Sequence, residues 1–174
     1  MALGKNLEKI QVKMLGQFSI RCGDVAFSDT VGRTKQVWML LEYLILNRKR
    51  EVSQEELISI LWETGNSENP SNALKNLVYR LRSMLAQSDL PSLDYILYKR
   101  GAYSWNSEIP CQVDVEFLEE YWSQAEKPEA SEEERLEACW KAIELYEGRF
   151  LPKSSYEQWV ASLSSYYHQI YLNS

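Results

Sequence analysis

The stretch Asn69-Pro70-Ser71-Asn72-Ala73-Leu74-Lys75-Asn76-Leu77-Val78-Tyr79-Arg80-Leu81-Arg82-Ser83-Met84-Leu85-Ala86 decides how the whole chain is read. Asn can cap a helix and Pro suits its first position, so the segment predicts a helix over about 70–86. At about 100° per residue, Leu74, Leu77, Val78, Leu81, Met84 and Leu85 fall on one face. Asn72, Asn76, Tyr79 and Ser83 lie opposite, with Lys75 and Arg82 flanking one side and Arg80 the other. No Asp or Glu occurs between Asn69 and Ser88, although the chain holds 25 acids among 174 residues. Periodicity alone would be met by an ordinary amphipathic helix facing water, but solvated faces usually mix both charge signs. Amides, a phenol and guanidinium groups are the types that reach base edges and phosphates in a DNA major groove.

Beyond this helix, Tyr95 to Tyr98 and Tyr103 to Trp105 read as two strands around Lys99-Arg100-Gly101-Ala102, where Gly101 can supply the positive φ of a tight turn. Two cations, Lys99 and Arg100, therefore sit at a hairpin tip. Alone they would be read as solubilising a loop. Directly after an acid-free helix, they suit a hairpin that touches DNA beside the groove the helix enters.

Ahead of it, Ser53 and Glu56 form a capping box, and Val52 can staple onto Leu57, starting a helix whose apolar face is Leu57, Ile58, Leu61 and Trp62. From Thr34, three-and-four spacing of Val37, Leu40, Leu41, Leu44 and Ile45 predicts a largely buried helix with Lys35, Gln36 and Glu42 turned away. Ile10 to Leu15, then Phe18, Ile20 and Cys22, alternate apolar and polar up to the turn pair Gly23-Asp24, and Val25-Ala26-Phe27 gives a third strand.

Composition agrees with a folded protein: 45% hydrophobic and 25% charged residues, with 7 Gly and 5 Pro. The longest strongly apolar run, Val37 to Leu46, contains Glu42 and is too short to cross a bilayer. Met1 to Lys5 show no secretory pattern, so a cytoplasmic location is expected. Cys22, Cys111 and Cys139 are odd in number and far apart, fitting reduced thiols. The net charge of −6 argues against a nucleic-acid partner until it is divided. Residues 1–107 carry 14 Lys and Arg against 11 Asp and Glu, a net +3; residues 108–174 carry 5 against 14, a net −9.

The N-terminal strands and Asn72 to Arg82 resemble the OmpR/PhoB-type DNA-binding domain as it occurs in AfsR/SARP-like bacterial transcriptional regulators. Matching pieces are Val12 to Ile20 with Leu15-Gly16, Arg33 to Leu44, Val52-Ser53 through Leu61-Trp62, and Gly101-Ala102-Tyr103. Residues 108–174 resemble the start of the bacterial transcriptional activation domain, at Val113-Asp114-Val115-Glu116-Phe117 and Tyr146-Glu147-Gly148-Arg149-Phe150-Leu151-Pro152. The resemblance implies that helix 70–86 is the recognition helix and that the hairpin, as a wing, touches flanking DNA. It places Tyr79 and Arg80 where bases are often read and Arg82 where a backbone contact is usual. Leu77 departs from the polar or aromatic residue common there, which fits its apolar face.

In the second half, Asp114 can cap a helix lined by Phe117, Leu118, Tyr121, Trp122 and Ala125, ending at Lys127-Pro128. Ser131 and Glu134 make a second capping box, opening a helix with Leu136, Cys139, Trp140, Ile143 and Tyr146 inside and Gly148 as its stop. A last helix, about Tyr156 to Leu172, groups Trp159, Val160, Leu163, Tyr166, Tyr167 and Ile170. Paired helices of these lengths are loosely like a tetratricopeptide unit, and the helical pattern runs to the last residue, which is expected of an unfinished array or a covered last helix.

His168 is the only histidine and has no serine or cysteine arrangement around it that implies a triad. No phosphate-binding glycine loop and no metal-spaced cluster is present in the sequence, so neither catalysis, cofactor nor metal is expected. The expectation is an α+β winged helix-turn-helix over 1–107 followed by an all-α, tetratricopeptide-like module over 108–174. Its function is sequence-specific binding of double-stranded DNA through Asn72, Lys75, Asn76, Tyr79, Arg80, Arg82, Ser83, Lys99 and Arg100. RNA polymerase or a second copy of the chain are further expected partners. The rival reading is a protein-interaction module built on the acidic helices, with the winged helix as scaffold.

Overall fold

The computed structural model describes residues 8–29, 35–62 and 68–174. The Met1 to Lys5 segment, Arg33 and the helix start at Thr34 lie outside the described residues. Packing divides the described residues into two units: Glu8, Lys9 and those within Cys22–Pro110, and Ile10–Arg21 with Cys111–Ser174. This grouping differs from a single cut after residue 107, because the first strand packs with the end of the chain.

In the first unit, β3 (Val25–Ser28) follows the turn at Gly23, whose φ is +57°. Helix α1 (Lys35–Leu46) buries Val37, Leu40, Leu41, Leu44 and Ile45, as the periodicity predicts. Glu42, expected to face water, is instead buried at 2% exposure. The helix contacts two other helices and a strand of its unit, so its buried arc is wider than its apolar stripe.

Strand β4 (Val52–Ser53) leads directly into α2 (Gln54–Leu61), with Val52 and Leu57 fully buried. Ser53 Oγ accepts the Glu56 N–H at 3.2 Å, but only this half of the predicted capping box forms. The Glu56 carboxylate instead accepts two bonds from the Arg50 guanidinium, at 2.5 and 2.9 Å, and one from the Tyr43 hydroxyl at 2.6 Å. A bidentate charge-assisted pair outcompetes a neutral backbone donor. Arg50 holds the Glu56 carboxyl below its ordinary value, and burial together with Glu56 pushes the Tyr43 phenol up to about 12. Ile58 and Trp62 are half-buried, and Trp62 lies just past the helix as its C-cap. Helix α3 (Pro70–Gln87) and the antiparallel pair β5 (Ile96–Lys99) and β6 (Ala102–Trp105) complete the unit. With β4 on the other side of β6, the sheet order is β4-β6-β5, so the unit is a winged helix.

In the second unit, β1 (Ile10–Lys13) runs antiparallel to β2 (Ser19–Cys22), with Val12 opposite Ile20. A strand absent from the sequence-based expectation, β7 (Cys111–Val113), lies parallel to β1, pairing Ile10 with Cys111 and Val12 with Val113. The second half is therefore not all-α. Three residues are too few to show a period, and the partner strand lies far away in sequence.

Helices α4 (Asp114–Glu126), α5 (Glu132–Leu145) and α6 (Gln158–Asn173) follow, α4 packing along α5 and α6 against α4. The Ser131–Glu134 capping box forms in full, with bonds of 3.2 and 2.7 Å. The phase of α5 differs from prediction: Ala138 and Ala142 are buried, whereas Leu136 is 56% and Trp140 62% exposed. Small residues let α5 approach α4 closely, and that close approach decides the inward face over side-chain size. In α6, Val160, Ser164, Tyr167 and Ile170 are buried and Tyr166 is exposed.

Asp114 and Gly148 also take other roles than predicted. The N-cap of α4 is Val113, without a side-chain bond. The buried Asp114 carboxylate accepts from the N–H groups of Met14 (2.9 and 3.0 Å), Leu15 (2.9 Å) and Val115 (2.8 Å). Helix α5 stops three residues before Gly148, which instead lies against Gly16; a Cβ on Gly148 would come within 3.1 Å of the Gly16 Cα. There the Gly16 N–H donates to the Arg149 carbonyl and the Leu151 N–H to the Met14 carbonyl, both at 2.9 Å. The Leu15-Gly16 and Tyr146-to-Pro152 pieces are thus one structural feature, closed from the other side by Asp114.

Candidate nucleic-acid interface

The interface is built from α3 upward. Asn69 caps it by accepting the Asn72 N–H at 3.2 Å, and Pro70 occupies the first turn where its missing N–H costs nothing. All six predicted apolar residues are buried, Leu77 among them at 4% exposure. That burial fixes which face is outward. Asn72, Lys75, Asn76, Tyr79, Arg80 and Arg82 are exposed, and Tyr79 at 73% is the most exposed large hydrophobic side chain described. Ser83 is half-buried, and its Oγ accepts from Gln87 Nε2 at 3.2 Å. The outward row of α3 therefore carries amides, cations and one aromatic ring, with no carboxylate among them.

Arg82 has a structural part that the sequence does not reveal. One guanidinium nitrogen donates to the Ile96 carbonyl at 2.8 Å, tying α3 to the base of the hairpin. The group carries five N–H bonds, so it can make this bond and still offer donors to a phosphate.

The hairpin register pairs Ile96 with Trp105, Leu97 with Ser104, Tyr98 with Tyr103 and Lys99 with Ala102. This leaves Arg100 and Gly101 as the two turn residues. Both have positive φ, +51° and +78°, the pattern of a type I′ turn matched to strand twist. Gly101 takes the role its sequence position predicts, and Arg100 adopts the left-handed conformation beside it. Lys99 and Arg100 are both exposed. The hairpin is stiffened by the Tyr98 and Tyr103 rings, 4.8 Å apart, and by Trp105, which is buried beside Tyr95 with ring centres 5.3 Å apart. Burial pushes the Tyr103 phenol up.

The structure thus brings the predicted residues onto two neighbouring elements of one unit, joined by Arg82. Three residues in that junction carry no sequence signal. Gln54 Nε2 donates to the Tyr98 hydroxyl at 3.0 Å, and Ser71 Oγ donates to Gln54 Oε1 at 3.3 Å. Their meeting depends on tertiary packing, which local spacing does not encode.

Elsewhere, no group of three or more His, Cys, Asp or Glu among the described residues is placed to hold a metal ion. His168 Nδ1 lies 3.1 Å from the Tyr146 hydroxyl. No helix among the described residues is long and apolar enough to cross a membrane.

Residues 28–102 match the family model described as "Transcriptional regulatory protein, C terminal", a domain of DNA-binding transcription regulators. A comparison with curated protein sequences finds no match. Among solved structures, the chain is similar to EmbR of Mycobacterium tuberculosis in complex with a low affinity phosphopeptide, with a TM-score of 0.74 and 18% identity. That match covers 95% of this chain and 43% of the EmbR chain, so this chain spans less than half of that protein's length. At this identity the likeness speaks for the fold.

Proposed function

We propose that the chain is a sequence-specific double-stranded DNA-binding transcription regulator of SARP-like type. In this reading residues 1–107 carry the DNA-binding module. Helix α3 enters the major groove with Asn72, Asn76, Tyr79, Arg80 and Ser83 toward base edges, while Lys75 and Arg82 face phosphates. Lys99 and Arg100 on the wing contact flanking DNA. Residues 108–174 act as the start of a helical, tetratricopeptide-like activation module, with RNA polymerase or a second copy of the chain as its partner, and the protein works in the cytoplasm. The carrying observation is the acid-free exposed row of α3, centred on Tyr79, beside a hairpin tip with two exposed cations. The rival reading draws on exposed Leu136 and Trp140, but these leave the α3 face unexplained.

Selection of duplexes from a random pool by the purified protein tests this reading. It predicts enrichment of one sequence, retained against excess unrelated DNA and abolished when Tyr79 and Arg80 are both changed to Ala. Failure to enrich any duplex contradicts it.

A further inference from the structure

Gln54 lies outside the predicted DNA-binding set, yet it reaches both elements that carry that set. As the first residue of α2 it donates its backbone N–H to the Gly101 carbonyl at 3.2 Å, at the hairpin turn. Its side chain bonds Tyr98 of β5 through Nε2 and Ser71, in the first turn of α3, through Oε1. The Arg82 bond to Ile96 anchors only the base of the hairpin. Farther out, the hairpin is held by the two-residue pairing of β4 to β6, Val52 with Tyr103 and Ser53 with Ala102, and by Gln54.

We propose that Gln54 is a positioning residue that fixes the wing tip relative to the N-terminus of α3, so that both elements meet duplex DNA in one register. The proposal rests on the reading of α3 and the wing given above. Its physical basis is preorganisation: a wing ordered before binding loses less conformational freedom on meeting DNA. The bonds are exposed, so they add little to the stability of the fold, and their effect belongs to binding.

The test is a double-mutant cycle on the duplex selected by the wild-type protein, comparing wild type, Gln54→Ala, Lys99→Ala with Arg100→Ala, and all three changes together. Gln54→Ala is expected to weaken binding about fivefold, the worth of one net hydrogen bond, with an unchanged unfolding midpoint. In the background lacking Lys99 and Arg100 the same change is expected to cost nothing, because the wing it positions no longer contributes. Tyr98→Phe, which keeps the ring and removes the hydroxyl acceptor, is expected to behave likewise and serves should Gln54→Ala fold poorly. An equal loss of affinity in both backgrounds, or binding as tight as wild type for Gln54→Ala and Tyr98→Phe, overturns the proposal. If the wing double variant alone binds as wild type does, the wing reading itself is refuted and the positioning role with it. That result is recognisable without any Gln54 variant.

Discussion

Asp114 shows how far a single residue can differ from its local reading. Its place before a helix suggests a cap, but its carboxylate closes onto the amides of Met14 and Leu15. Both oxygens accept, which an amide cannot reproduce, because one of its two ends is a donor. Asp114→Asn is therefore expected to lose about 2 kcal/mol at pH 7, measured by urea unfolding, through buried N–H groups left unpaired. Burial pushes the Asp114 carboxyl up to about 6, against the N–H donors of Leu15, Met14 and Val115 that pull it down. Its folded value lies above its ordinary 3.8, so between about pH 4 and pH 6 the native chain binds more protons than the unfolded one. Stability due to this group falls as pH rises through that window and is level above it. The stability difference between wild type and Asp114→Asn is expected to grow by about 2 kcal/mol from pH 7 to pH 4. A difference that stays flat with pH would contradict the assignment. Local spacing holds no trace of this role, because the amides involved belong to residues distant in sequence.

At the scale of elements, legibility follows how much of the deciding interaction is local. Helix α3 is readable nearly residue by residue, since its Asn69 cap, Pro70 and apolar period all lie within the segment. The Ser131–Glu134 box is readable for the same reason. The Ser53–Glu56 box forms only by half because Arg50 and Tyr43 compete for Glu56, and the phase of α5 departs from its apolar period because α4 selects Ala138 and Ala142 over larger side chains. This gives a direct contrast between two faces of one helix. Leu136→Ala with Trp140→Ala is expected to change stability by less than about 1 kcal/mol, whereas a buried Trp would cost roughly 3–5 kcal/mol. Ala142→Leu is expected to destabilise by about 1–3 kcal/mol through overpacking, although it adds apolar surface. Thermal or urea unfolding of the two variants checks both expectations.

For the whole molecule, the net charge of −6 conceals the +3 and −9 halves, and the polar row of α3 and the two cations of the hairpin tip, all in the basic half, are largely exposed. Residues of one helix and one hairpin suffice to locate this face from the sequence. That the first strand packs with the end of the chain is not legible there, because β1 and β7 pair across most of the sequence. The central claim is that α3 and the wing form the DNA face, and phosphate neutralisation provides its sharpest signature. The most direct measurement is the salt dependence of duplex affinity for wild type and for Lys75→Ala with Lys99→Ala and Arg100→Ala. The account predicts weaker binding and a slope of log affinity against log salt that is shallower by about 1 for each phosphate that the variant no longer neutralises. An affinity and slope equal to wild type would contradict it.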